Sequence, residues 1–311
     1  EASFLLNNVI LVAMTFAVFW GTIFPIVSEA ATGVKVTVGP PFFNQVNVPI
    51  ALLLILLMGI GPLIAWRKSS LFQLRKSFVY PGAVGVGSLA VLFAFGGRHL
   101  FTTLAFALCL FVAATVWLEY YRGIRSRKRN LGEGILACAW NLTMRNKRRF
   151  GGYIVHLGMA LIFVGVAAST TFKQVGEVRL RLGESFALNG VRLRFESLEE
   201  GHAPEYRSVF ARLGVYKEGY RLGEVLPERR LYFTPPQPTT EAGIRRSFRD
   251  DIYAVFAEVD QDGSASFLFF INPLISWIWY GGGVFTLGAI VCFLPQRWGR
   301  LKKGASKEAA A

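Results

Sequence analysis

The chain has 311 residues, 53% of them hydrophobic, and a mean hydropathy of +0.41, which soluble proteins rarely reach. Its net charge is +14, but residues 173–271 are nearly neutral, with 14 Lys+Arg and 15 Asp+Glu. The positive surplus therefore lies in the apolar remainder of the chain, which has 20 Lys+Arg and 5 Asp+Glu. This composition excludes a nucleic-acid binder, which carries its basic residues on a soluble surface. Basic loops beside apolar spans instead set membrane orientation.

The cysteines exclude several small-domain classes. Cys109, Cys138 and Cys292 are far apart, and none lies in 173–271. A disulfide scaffold, a CxxC redox pair and a zinc ribbon are therefore excluded within this chain. The chain starts at Glu1, and no signal-peptide pattern precedes the first apolar stretch. We expect a processed chain, a split subunit or a fragment.

Six apolar stretches are long enough to cross a bilayer, which needs about 20 residues. The third is rich in Gly and Ser, and only "GGRHL" separates it from the fourth, which predicts a tight helical hairpin. The predicted spans are 4–27, 47–66, 77–97, 99–121, 152–172 and 273–295.

Three strongly basic segments fix the predicted orientation. They are 67–77, 121–150 and the tail 296–311, and the positive-inside rule places all three in the cytoplasm. Both termini are then cytoplasmic, and 28–46 and 173–271 lie on the opposite side. Within 122–147, Leu131, Ile135, Leu136 and Trp140 recur at helical spacing, which predicts a helix on the membrane surface.

The segment 173–271 has the period-two alternation of β-strands. "LNG" predicts a tight hairpin turn, "TPPQPTTEAG" a loop, and "DQDGSA" the turn of a last hairpin. The predicted fold is an α-helical polytopic membrane protein with about six transmembrane helices and one extracytoplasmic antiparallel β domain. Its divisions are a membrane region 1–172, the β domain 173–271, a last span 272–295 and a basic tail 296–311.

The chemistry-bearing candidate is His156, in "RRFGGYIVHLG" at the start of the fifth span. An ionisable group inside a span is costly and indicates function by default. The alternative is a neutral imidazole that hydrogen-bonds a neighbouring helix. Close approach is permitted by Gly151, Gly152, Gly158 and Gly165, either to another helix or to a flat macrocycle. Haem iron accepts an axial imidazole, and a second membrane-embedded histidine is absent from the sequence.

Two further groups have open interpretations. Lys147, Arg148 and Arg149 satisfy the positive-inside rule, with a minor role toward haem propionates as the alternative. The predicted outer loop 36–49 contains Gly39, Pro40, Pro41, Phe42 and Phe43, in which the prolines fix a rigid turn beside two aromatic rings. These rings belong either to an interfacial aromatic belt or to a wall against which an apolar ligand docks.

These motifs resemble, in order and over nearly the whole chain, the C-terminal half of the CcmF family of cytochrome c maturation proteins. CcmF proteins are haem lyase subunits of the haem-handling membrane protein superfamily. The family's tryptophan-rich haem-binding segment, its two flanking outer histidines and its first membrane histidine belong to an N-terminal half and have no counterpart here. The matching stretches are "FLLNN" (4–8), "WGTIFPIVSEA" (20–30), "VGPPFFN" (38–44), "RRFGGYIVHLG" (148–158), "LPERRLYF" (226–233), "TTEAGI" (239–244) and "WIWYGG" (277–282).

The resemblance implies specific roles. His156 matches an axial ligand of a b-type haem, whose electron reduces the incoming haem iron while haem is attached covalently to the CxxCH of apocytochrome c. Implied partners are the N-terminal half of the lyase, a haem chaperone, apocytochrome c with its thiol-handling subunits, membrane lipid, and quinol as a candidate donor. The implied location is the bacterial inner membrane, with the β domain periplasmic.

Three functional hypotheses remain at this point. The first is a haem lyase part, an enzyme subunit that is incomplete by itself. The second is a transporter subunit for haem or a small solute, although only Glu119, near the cytoplasmic end of the fourth span, adds an acidic group to the spans. The third is an assembly scaffold whose β domain docks partners through "LPERRLYF" and "TTEAGI". A reduced b-type absorbance spectrum distinguishes the first from the other two.

Overall fold

The computed structural model describes residues 2–63, 71–259 and 263–295. Several predictions fall partly or wholly outside the described residues. These are the basic tail 296–311, residues 64–66 of the second predicted span, residues 67–70 of the first basic loop and residues 260–262 of the "DQDGSA" turn. Two compact units are present, Glu1–Val164 with Tyr280–Ala311, and Gly165–Trp279.

Seven α-helices account for the apolar sequence within the described ranges. All except the short fifth helix are long and apolar enough to cross a membrane, which confirms the predicted six spans. The helices are α1 (Ala2–Thr32), α2 (Pro40–Ile60), α3 (Leu71–Ala94), α4 (Leu100–Leu131), α5 (Ile135–Arg145), α6 (Lys147–Thr171) and α7 (Ser276–Phe293).

The helix bounds differ from prediction most at α2 and α4. Helix α2 begins at Pro40 and not near residue 47, so only residues 36–39 of the predicted outer loop 36–49 precede it. Prolines at the first two helical positions cost nothing there, because those N–H groups have no intrahelical acceptor. Helix α4 continues ten residues beyond 121 and stops at Gly132, whose φ of 65° is left-handed.

Helix α5 confirms a helix within 122–147, but Leu131, which was predicted to share it, is the last residue of α4. Its inner side buries Cys138, Leu142 and Thr143, while Leu136 and Trp140 are 86% and 66% exposed. The turn between α4 and α5 is stabilised by Glu133, which accepts hydrogen bonds from Arg127 Nη2 at 2.8 Å and from Asn141 at 3.2 Å. The bonds from Arg127, and then that from Asn141, lower the pKa of Glu133. Contact of α5 with the membrane surface stays a prediction.

Among the described residues, ten strands form two antiparallel sheets, as predicted for a β domain. The first sheet has the order β1 (Gln174–Leu180), β10 (Ala265–Pro273), β9 (Asp250–Val259) and β8 (Gly243–Arg245). The second has the order β2 (Ser185–Leu188), β3 (Val191–His202), β4 (Tyr206–Lys217), β6 (Glu228–Phe233) and β7 (Pro236–Glu241), with β5 (Tyr220–Val225) also pairing with β4.

The sheets face each other across an aromatic core. Phe195 of the second sheet meets Phe267 of the first edge to face, with ring centroids 5.2 Å apart. Phe256 and Phe269 stack on Phe267 from either side along the first sheet. All four are at most 1% exposed, so burial of these large rings is a principal source of this unit's stability.

One turn prediction is confirmed and one loop prediction is wrong. Asn189 and Gly190 have φ angles of 48° and 75° and join β2 to β3, the two-residue hairpin expected from "LNG". Residues 236–241, expected to be a loop, form strand β7. Strand β7 ends the second sheet, and an edge strand tolerates prolines because one side of it needs no N–H donors.

Candidate functional site

His156 lies in the third turn of α6, and the environment of its ring favours a ligand over a packing role. The ring nitrogen Nδ1 is buried and has no hydrogen-bond partner among the described residues. The alternative from sequence, an imidazole bonded to a neighbouring helix, is therefore not supported at Nδ1. A buried polar atom without a partner costs free energy, and such atoms often mark a functional position.

Gly152 lies about one turn before His156 on α6. It precedes His156 by four residues, so both lie on one face of the helix. A Cβ added at Gly152 would meet nothing within 4 Å. The helix face at Gly152 is therefore free of packing atoms among the described residues, and a planar group held by His156 would meet no side chain there.

Gly158 has a different role from the one expected. A Cβ at Gly158 would lie 2.7 Å from Cα of Phe285 and 2.8 Å from the carbonyl oxygen of Gly281, both in α7. Successive residues of a helix are about 100° apart around its axis, so residues 156 and 158 point to nearly opposite sides. Gly158 therefore cannot share the face of His156. The expectation that Gly158 lies near haem is corrected to close packing between α6 and α7.

Arg149 shares the face of His156, two turns nearer the helix start, and is already engaged. It forms a short ion pair with Glu119 of α4, and its Nε donates to the hydroxyl of Tyr153 at 2.8 Å. That hydroxyl donates to Glu119 at 3.3 Å, and Arg122 lies 3.5 Å from the same carboxylate. Glu119, interpreted from the sequence as interfacial, is 9% exposed. The cluster joins α4 to α6.

Sequence reasoning missed this Glu119 cluster. The available signal was an acidic residue within an apolar span, since a charge there needs a partner. The sequence did not identify the partner, because residues 119 and 149 are distant in the chain and meet only through packing of α4 against α6.

Arg148 and Lys147 lie at a separate cleft. A space of about 480 Å³ is lined by these two residues and by 292–295 at the end of α7. Lys147 is 4% exposed, and its Nζ donates to the carbonyl oxygen of Pro295 at 2.9 Å. The side chain of Lys147 thus joins the start of α6 to the residues that follow α7.

The Gly-Pro-Pro-Phe-Phe segment begins a helix and is not the rigid loop that the sequence predicted. Gly39 is the N-cap of α2, and the two prolines fill its first turn. Phe42 and Phe43 pack edge to face, with centroids 5.4 Å apart, over Gly21 of α1. Phe42 stays 36% exposed. The rings join α1 to α2, and a ligand contact for them remains a proposal.

The other histidines lie on other elements of the fold. His99 is the N-cap residue of α4, and His202 is an exposed residue at the end of β3. Within the described ranges, no three His, Cys, Asp or Glu side chains come together as a metal site. An ion at His156 would therefore need donors supplied by a cofactor or by another chain.

Comparisons with known proteins extend these observations. Residues 171–273 match the family model "CcmF C-terminal beta-sandwich". "Cytochrome c-type biogenesis protein CcmF" of Pseudomonas fluorescens is 31% identical over 311 residues, which cover 99% of this chain and 46% of the relative. The CcmF of Escherichia coli K12 is 28% identical over 302 residues, covering 96% and 44%.

A solved structure agrees with the sequence relatives. "Cytochrome c Heme Lyase CcmF" superposes with a TM-score of 0.74 at 26% identity, covering 95% of this chain and 46% of that one. The chain spans about half the length of the relatives it matches.

Proposed function

We propose that this chain, which corresponds in sequence and fold to the C-terminal half of CcmF, is part of a cytochrome c haem lyase and holds a b-type haem through His156. The observation that carries the proposal is the buried Nδ1 of His156, which has no hydrogen-bond partner among the described residues and lies about one turn from the open helix face at Gly152. The chain is an enzyme subunit and depends on another half for catalysis.

The chain's own residues have distinct tasks in this proposal. Haem supplies one-electron chemistry when bound, here for reduction of the incoming haem iron during covalent attachment to a CxxCH motif. His156 offers a neutral imidazole nitrogen as one axial ligand. Arg149, on the same face, offers guanidinium N–H groups to a propionate alongside its bonds to Glu119 and Tyr153, with Arg148 as a weaker candidate.

The proposed partners follow from the missing half. The second axial ligand comes from an N-terminal half with the tryptophan-rich segment. That half, a haem chaperone, apocytochrome c and its thiol-handling subunits complete the assembly, with quinol as electron donor. The proposed location is the bacterial inner membrane, with termini cytoplasmic and the β domain periplasmic.

The test is His156→Ala, with the chain co-expressed with the N-terminal half of a relative. Because an axial ligand is removed, the b-haem absorbance per purified protein should fall by at least about tenfold, and cytochrome c maturation should stop. His156→Cys, or imidazole added to the alanine variant, should restore part of the absorbance by supplying a ligand. The spectrum reports haem binding independently of activity.

The matched controls are His99→Ala and His202→Ala, which remove imidazoles outside the spans. Both should keep the b-haem absorbance of the parent. Full absorbance in the His156→Ala chain would show that the ligand assignment is wrong.

A further inference from the structure

An open groove in the β-sandwich is not used by the proposed haem site. A space of about 410 Å³ lies between β4, β6 and β7 of the second sheet and β9 of the first. Arg207 and Arg229 border it together with apolar side chains. The apolar residues are Val209, Leu231, Pro238, Phe256 and Val259.

The groove is the part of the core-facing surface that the first sheet leaves uncovered. Along β4, Val209 shares a face with Ala211, which is fully buried in the core. Across the sheet, Leu231 pairs with Arg207 on one side and with Pro238 on the other. At this end of the second sheet, the inward-facing side chains thus extend beyond the part that the first sheet covers.

The uncovered surface is apolar and larger than the groove itself. Leu231 is 50% exposed and Val259 is 44% exposed. Phe233, two residues beyond Leu231 on the same face of β6, is 45% exposed. A contiguous exposed apolar patch of this kind marks an interaction site.

The groove lies at one end of the first sheet. Asp250 of β9 pairs with Pro273, and Val259 pairs with Ala265 at the opposite end. Nine residues of strand separate these ends, which is about 30 Å. The groove thus lies at the end of β9 that is farther from Pro273.

The charge at the groove is positive among the described residues. Arg207 makes no ion pair within them, and Arg229 donates from Nη1 to the carbonyl oxygen of Ala257 at 2.7 Å. Arg230 points to the other face and is held by Glu228 at 2.7 Å. The hydrogen bond from Arg230 lowers the pKa of Glu228. Arg207 and Arg229 are thus the cations that favour an acidic occupant.

We propose that this groove docks an extended segment of a partner protein in which acidic side chains alternate with apolar ones. A protein segment fits better than a small amphiphile, because small-molecule sites bury roughly 70–90% of their ligand, whereas this surface is open and continues to Phe233. Apolar side chains would cover Leu231 and Val259, and carboxylates would meet Arg207 and Arg229. The proposal is independent of His156.

Binding of two fluorescent peptides to the full chain in lipid nanodiscs tests the proposal. One peptide alternates Leu with Asp, and the other alternates Leu with Lys. The Asp peptide should bind to the parent, and Arg207→Glu with Arg229→Glu should weaken it at least about tenfold, since close charge pairs at interfaces carry that much coupling. The same double variant should gain binding of the Lys peptide, a gain that misfolding cannot produce.

Two further variants complete the test. Arg192→Glu with Arg194→Glu, on exposed positions of β3, is the matched control and should leave Asp-peptide binding unchanged. Leu231→Ser should weaken binding of the Asp peptide to the parent and of the Lys peptide to the double variant.

Several results would overturn the proposal. These are no binding of the Asp peptide, or binding that does not depend on the charge of residues 207 and 229. Groove-dependent binding of oleate without peptide binding would assign the surface to a small amphiphile.

Discussion

The face of a helix on which a residue lies decides its role in α6. Arg149, Gly152 and His156 share the face toward α4 and open space, whereas Gly158 faces α7. The buried charge of Glu119 is balanced by Arg149 and by the hydroxyl of Tyr153. Because a charge in an apolar bundle is costly without a partner, this cluster fixes α4 against α6 next to His156.

Glu119→Gln tests the cluster. The amide keeps an acceptor for Tyr153 but loses the ion pair, and the side chain of Arg149 is 59% exposed, so water screens part of the loss. We expect a decrease of about 1 kcal/mol in unfolding free energy, measured by denaturant titration in detergent. Arg122→Gln removes only the longer contact with Glu119, at 3.5 Å, and should change little. An equal decrease of the unfolding free energy in Glu119→Gln and Arg122→Gln would mean that the ion pair with Arg149 contributes nothing specific.

At the scale of elements, α6 and α7 pack through glycines seven residues apart. Gly151 and Gly158 of α6 lie against Gly288 and Gly281 of α7. The side chain at each position is only hydrogen, so the backbones approach closely, as membrane helices do at small residues. This close packing turns the face of α6 that carries His156 away from α7.

Gly158→Ala and Gly152→Ala form a matched pair of variants. The first places a Cβ against the backbone of α7 and should destabilise the helix pair by about 1–3 kcal/mol. The second adds the same methyl group to open space and should be neutral or stabilise α6, by at most about 1 kcal/mol. Thermal unfolding in detergent measures both. A lower Tm for Gly152→Ala than for Gly158→Ala would contradict the assigned faces.

The strands and turns could be predicted to different degrees. The "LNG" hairpin follows from local chemistry, since a two-residue turn with positive φ selects Asn-Gly. Strand β7 could not be predicted from "PPQPTTE", because its place at the sheet edge, which makes prolines acceptable, depends on the distant strand order. The start of α2 at Pro40 was predictable from helix-start rules, which favour proline in the first turn.

At the scale of the whole molecule, the chain combines six apolar spans with a separate β-sandwich. It spans about half the length of its relatives. A helix bundle of this kind leaves many apolar side chains on its outside, for lipid or for the remaining half of a longer assembly. The predicted orientation rests on charge asymmetry of the loops.

Cysteine labelling in spheroplasts tests that orientation. In a Cys292→Ser background, where the remaining Cys109 and Cys138 are buried, Tyr220→Cys should react with a membrane-impermeant maleimide in intact cells. Tyr220 is 76% exposed in the β domain. Lys128→Cys should react only after lysis, because α4 ends in a basic segment. Reaction of both on the same side of the membrane would refute the topology.

The sequence by itself determined the class of the protein, its six spans, the β domain and the single histidine within a span. These properties follow from hydropathy, charge and strand alternation, which act over short stretches of chain and so can be read without knowing contacts. The predicted helix at 135–145 and the "LNG" hairpin belong to the same group.

Only the tertiary structure decided which residues meet. The pairing of Glu119 with Arg149, the use of Gly158 by α7, the packing of Phe42 and Phe43 on Gly21, and the groove at Leu231 all join residues that are far apart in sequence. Their physical cause is packing between elements, because steric fit and the need to pair buried charge act only after helices and sheets are assembled.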